Sequence, residues 1–144
     1  MRLNMDCIRD ILLWVESITT PTKYAKYLNT ELAAQCAFLY DEVPRPTPSQ
    51  KILTEKYENE VIVYHLNYCI ESGLLKPLPF NDNPFIGIQD LTPLGHELLS
   101  NIRNEENFNT VKQSAKKIGI ESVKSFIDIA KSVSAEIISK SITG

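Results

Sequence analysis

Tyr64-His65-Leu66 … Gly73-Leu74-Leu75, followed after a proline-rich, aromatic stretch by Leu91-Thr92-Pro93-Leu94-Gly95-His96-Glu97-Leu98-Leu99, is the part of the sequence that decides the fold. An apolar helix stops at Gly73, an extended segment turns around Asn81-Asp82-Asn83-Pro84, and Thr92-Pro93 starts a second helix. That order of helix, hairpin and helix predicts a winged helix-turn-helix, mainly α with a small β-hairpin. Upstream, Pro48 to Tyr57 reads as the short first helix of the pair, with Ile52 and Leu53 turned inward. Asn59 to Ser72 reads as the second, with Ile62, Leu66, Cys69 and Gly73 on one line. Gly73 supplies the left-handed cap, and Gly87 in the second wing strand permits a bulge or a close approach.

Outward from this block, Met5 to Ser17 is a clear helix. Ile8, Ile11, Leu12 and Val15 form its apolar stripe, Asn4 is placed to cap it, and Arg9 and Asp10 fall on the water side. Thr19-Thr20-Pro21 ends it. Residues 22–50 stay open: Tyr24 to Leu28 and Leu32 to Tyr40 fit either a helix or a buried strand, and Pro44, Pro46 and Pro48 then force an extended connection. The expected organisation is a winged-helix-like domain over 1–103 with an insert at 19–50, then a helical extension over 104–144 bent near Gly119. The 144 residues suffice for one cored domain plus an appended element.

The N-terminus carries Arg2, Asp6, Arg9 and Asp10 without an apolar run, and no stretch is apolar enough to span a bilayer. With Cys7, Cys36 and Cys69 in no paired spacing, reduced thiols and a cytoplasmic location are expected. His65 and Cys69 stand four apart but lack a third ligand, and His96-Glu97 neighbours diverge by about 100° on a helix. No metal, no cofactor and no catalytic residue is therefore expected. Both imidazoles are expected buried and hydrogen-bonded, with Tyr64 and Thr92 as partners. No nucleophile motif or glycine-rich phosphate loop appears, which points away from an enzyme and from a small-molecule substrate.

The blocks Met5-Asp6-Cys7-Ile8-Arg9-Asp10-Ile11-Leu12, Tyr64-His65 with Gly73-Leu74-Leu75, and Leu91-Thr92 with Gly95-His96-Glu97-Leu98-Leu99 resemble a family of small, uncharacterised phage and prophage proteins, a domain of unknown function. The resemblance continues through Ile102-Arg103, Phe108 and Lys116-Lys117-Ile118-Gly119, and misses roughly Thr19 to Pro48. It implies a winged-helix-like fold in a phage context and brings no catalytic residues. One departure concerns the second helix, where the family has Ser or Asp followed three positions later by an acid. This sequence has Glu58 and Val61, so the reciprocal capping box is absent.

Charge then separates two kinds of partner. Before residue 109 nine basic residues face fifteen acidic ones, whereas from Asn109 onward six face three. The helix in the DNA-reading position offers Glu60, Val63, Asn67 and Glu71 outward, contains no Arg or Lys, and is followed by an acidic wing tip. Carboxylates repel phosphates, so ordinary groove insertion is disfavoured. A DNA-binding transcriptional regulator would have to use Asn67 on a base with Lys56, Lys76, Lys112, Lys116 and Lys117 on the backbone. The favoured expectation is a non-enzymatic phage accessory protein with a protein partner or a second copy. Its face would be the last helix, where Val123, Phe126, Ala130, Val133 and Ile137 step by three and four with Ile127 beside them. The competing reading takes that stripe into the chain's own core.

Overall fold

The computed structural model describes residues 1–119 and 122–143. Its first helix, α1 (Met5–Ile18), starts where Asn4 Oδ1 accepts the Cys7 amide at 3.1 Å. The expected stripe of Ile8, Ile11, Leu12 and Val15 is buried together with Cys7 and Trp14.

The undecided stretch resolves into a short strand, β1 (Ala25–Leu28), a helix of six residues, α2 (Thr30–Gln35), and a 3-10 turn at Ala37–Leu39 that leaves Phe38 and Leu39 exposed. Asn29 caps α2 through the Leu32 amide. A second 3-10 turn, Pro48–Gln50, runs into α3 (Lys51–Thr54). Here one expectation is corrected: Leu53 is buried, but Ile52 is 59% exposed. A helix of one turn packs one side, and adjacent side chains point about 100° apart.

The second helix of the pair is α4 (Asn59–Glu71). Glu58 makes no side-chain cap, as the missing capping box implied. At the far end Gly73 adopts φ +77°, with its amide donating to Ile70 and the Leu74 amide donating to Cys69. This is the Schellman arrangement, which satisfies the last carbonyls of α4. Asn59, in the first turn, donates to Asn29 Oδ1 at 3.1 Å and accepts from the Tyr27 hydroxyl at 2.9 Å, tying α4 to β1 and α2.

The hairpin consists of β2 (Leu75–Pro77) and β3 (Phe85–Leu91). With β1 it forms an antiparallel sheet in the order β1-β3-β2, in which Ala25 pairs with Ile88 and Leu75 with Leu91. The close approach expected at Gly87 is real, because a Cβ there would lie 2.2 Å from Leu78 Cδ1. The free edge of β1 is plugged at Leu28 by a side chain. Buried Gln50 accepts the Leu28 amide at 2.7 Å and donates to the Leu28 carbonyl at 3.0 Å, taking the place of a neighbouring strand.

Next comes α5 (Pro93–Ile102), capped by Thr92, whose hydroxyl accepts the Gly95 amide at 3.0 Å and donates to the Gly73 carbonyl. A Cβ on Gly95 would stand 2.1 Å from the Leu74 carbonyl oxygen. The joint between α4 and α5 therefore rests on backbone touching backbone, which is why Gly73-Leu74-Leu75 and Leu91-Thr92 … Gly95 carry the fold together. Helix α6 (Glu105–Ile118) is capped by Asn104 and ends at Gly119, with φ +81°. It packs with α7 (Val123–Thr143) and α5. One contiguous buried cluster runs from Cys7 to Val133 and includes residues on both sides of position 103.

The architecture agrees with the expected class: mainly helical, with a small antiparallel sheet and a C-terminal helix. Its element order is compatible with a winged helix-turn-helix, the hairpin being joined by a third strand from the stretch left open. Among the described residues no helix is long and apolar enough to cross a membrane.

Candidate functional site

Three surfaces compete for the role of site: the outer face of α4, the seam of α7, and a polar groove between the N-terminal segment and α6. On α4, Glu60, Asn67 and Glu71 are exposed as expected, while Val63 is partly buried against the core. The face is thus acidic, with one amide between two carboxylates. The wing tip adds no cation, and its Asn81 side chain accepts the Asn83 amide at 2.9 Å.

The basic residues assigned to a DNA backbone are carried by three separate parts of the fold: the α3–α4 connection, β2 and α6. Lys56 lies 3.3 Å from Asp10 on α1, and Asp10 also accepts the Tyr57 hydroxyl at 2.7 Å. That hydrogen bond, together with burial as the larger cause, pushes the Tyr57 phenol upward. Lys112 pairs with Asp6 at 3.1 Å and lies 4.7 Å from the centre of the Phe108 ring. These two lysines are thus neutralised by α1. Lys76 is exposed on β2, and Lys116 and Lys117 are exposed in the last turn of α6.

The seam assigned to a partner is largely inside the molecule. Val123, Phe126, Ala130 and Val133 are buried, and Ile127 is partly buried against the same cluster. For these residues the expectation of an available interaction face is corrected. Helices α6 and α5 pack against α7 and supply the surface that covers them, with Phe108, Val111 and Ala115 buried on α6. Only Ile137, at 38% exposure, reaches the solvent at the end of the stripe, and Ile138 and Ile142 beyond it are 58% and 79% exposed.

The two histidines diverge. His65 is fully buried, its Nδ1 donating to the Val61 carbonyl at 2.8 Å and its Nε2 accepting the Asn4 amide at 2.8 Å. Both nitrogens hold backbone, one along α4 and one at the start of α1, so the ring is neutral with its proton on Nδ1. Burial lowers its pKa against the smaller opposing effect of the Val61 hydrogen bond. The expected partner Tyr64 makes only an edge contact, with ring centres 5.2 Å apart. His96 is corrected: it is exposed, 3.9 Å from Asp90, because position 96 on α5 faces away from the core that Leu98 and Leu99 enter.

Cys7 and Cys69 are buried free thiols whose pKa values burial pushes up to about 12, while Cys36 is only half-buried. Such thiols are poor nucleophiles. Among the described residues no group of three His, Cys, Asp or Glu side chains could hold a metal ion.

The third surface escaped the sequence reading. A groove of about 630 Å³ lies between Arg2–Asp6 and the α6 residues Asn109, Lys112, Gln113 and Lys116. Their spacing of three, four and seven puts them on one helix face, which is the signal that could have found it. The contribution of Arg2, more than 100 positions away, could not be read from spacing.

The sequence model of a family described as Hypothetical protein (DUF2513), a domain of unknown function, matches residues 2–121, and the chain belongs to that family. No curated protein and no solved structure matches it. The family match spans α1 to the end of α6, so all of α7 lies outside it.

Proposed function

We propose that this DUF2513 protein acts by binding rather than catalysis, as a cytoplasmic accessory protein of a phage or prophage that pairs with a second copy of itself through the end of α7. The single observation behind this reading is the run of Ile137, Ile138 and Ile142, exposed on a helix that continues past its last buried residue, Val133. A helical end without packing is marginal in water, and apolar side chains on it favour association. The binding reading is also supported by His65, whose two ring nitrogens are consumed by backbone. The phage context rests on the resemblance of the sequence blocks, and the cytoplasmic location on the free thiols.

The test is the molecular mass in solution over a range of concentrations, for the wild-type chain and for Ile137→Asp/Ile142→Asp. A dimer that becomes a monomer with its helical content unchanged is the expected result. A wild-type chain that stays monomeric throughout refutes self-association. DNA binding by a transcriptional regulator is the second reading, favoured by the element order and by exposed Lys76, Lys116 and Lys117. It is opposed by the carboxylates of α4. Tight, salt-sensitive binding to a discrete duplex by the monomer would put it first.

A further inference from the structure

The groove beside α1 runs against the charge of the rest of the chain. The protein has a net charge of −3, yet Arg2, Lys112 and Lys116 line this groove against one acid, Asp6. Asp6 is already occupied by Lys112 at 3.1 Å. Among the described residues Arg2 and Lys116 enter no ion pair, so two positive charges face the groove uncompensated. Asn109 and Gln113 place amide groups along the same face of α6. A guanidinium, ammonium groups and amide donors in a row suit an oxyanion with several acceptor oxygens.

We infer that this groove binds a run of consecutive phosphate groups, as found in a polyphosphate chain or along a nucleic-acid strand. The α6 stripe from Asn109 to Lys116 extends about 10 Å along the helix axis. That length is enough to meet more than one phosphate of an extended strand. Such binding does not require α4 to enter a groove, and it is independent of pairing through α7.

The experiment measures binding of tripolyphosphate and of a short oligothymidylate to the full chain at low and at moderate salt. Arg2→Glu/Lys116→Glu is expected to weaken binding about tenfold or more, since two charge-assisted contacts are reversed. Asp6→Asn is expected to tighten it by releasing Lys112, a change of sign that misfolding would not mimic. Lys23→Glu, on an exposed turn away from the groove, and Ile137→Asp are expected to leave it unchanged. Preference for tripolyphosphate identifies a free polyphosphate as the ligand, and preference for the oligothymidylate identifies a strand backbone. The inference is overturned if neither probe binds at low salt, if Arg2→Glu/Lys116→Glu binds as tightly as wild type, or if Lys23→Glu weakens binding as much.

Discussion

Acidification is expected to loosen the joint between α1 and α4 at a single buried ring. In the folded chain the Nε2 of His65 accepts the Asn4 amide, and its Nδ1 proton goes to the Val61 carbonyl. Adding a proton to Nε2 would set two donors against each other at a fully buried ring. The folded pKa accordingly lies below the ordinary 6.5, burial being the larger cause. A group depressed in this way contributes stability that is fully present above its unfolded value and is lost as pH falls from about 6.5 toward the folded value. Unfolding in that window takes up at most one proton, which gives a limiting slope of about 1.4 kcal/mol per pH unit. The assay is urea unfolding followed by far-UV circular dichroism at several values between pH 7.5 and pH 5, for wild type and His65→Gln. The variant is expected to be weaker by about 1–3 kcal/mol at pH 7.5, the cost of a buried donor without its acceptor. It is also expected to show a shallower dependence on pH. Equal slopes for the two chains would refute the assignment of the ring as neutral and hydrogen-bonded on both sides. Glu16 contributes in a separate, lower window, because its hydrogen bond with Arg103 holds its carboxyl below 4.5.

Gly95→Ala, which at most helix positions would stabilise by about 1 kcal/mol, is expected instead to cost about 2–4 kcal/mol by driving a Cβ into the Leu74 carbonyl. Thermal unfolding would show it, and a raised midpoint would disprove the close joint. Gln50→Leu should cost at least about 2 kcal/mol, since both the amide and the carbonyl of Leu28 lose their partner; hydrogen exchange at the Leu28 amide should accelerate with it. Phe126→Ala is expected to cost about 3–5 kcal/mol, whereas Ile138→Asp should leave the stability of the monomer, measured at high dilution, within about 0.5 kcal/mol. Similar losses from the two substitutions would contradict the division of α7 into a buried part and an exposed end.

The long amphipathic helices were legible because their stripes repeat over three or four turns, and Gly73 was legible because a helix stop in the left-handed region has few alternatives. Strand β1 was not, since Ala25, Tyr27 and Leu28 are buried while Lys26 lies across the Phe85 ring, and four such residues give no clean alternation. Ile52 misled because an apolar residue beside Leu53 carries no mark of which one faces in. The seam of α7 shows the firmest limit. A stripe at intervals of three and four is the same signal whether it meets α6 of its own chain or a second molecule, and only packing distinguishes the two. The candidate lysines failed for a related reason: the acids that neutralise Lys56 and Lys112 stand 46 and 106 positions away.

The side-chain amide of Gln50 has a consequence for assembly. An open strand margin is where sheets of different molecules join edge to edge, and here one margin is plugged at Leu28 by that amide while the opposite margin is a three-residue strand ending in Pro77. The sheet is thereby kept at three strands, and strand-to-strand joining with the sheet of another molecule is disfavoured at both of its margins.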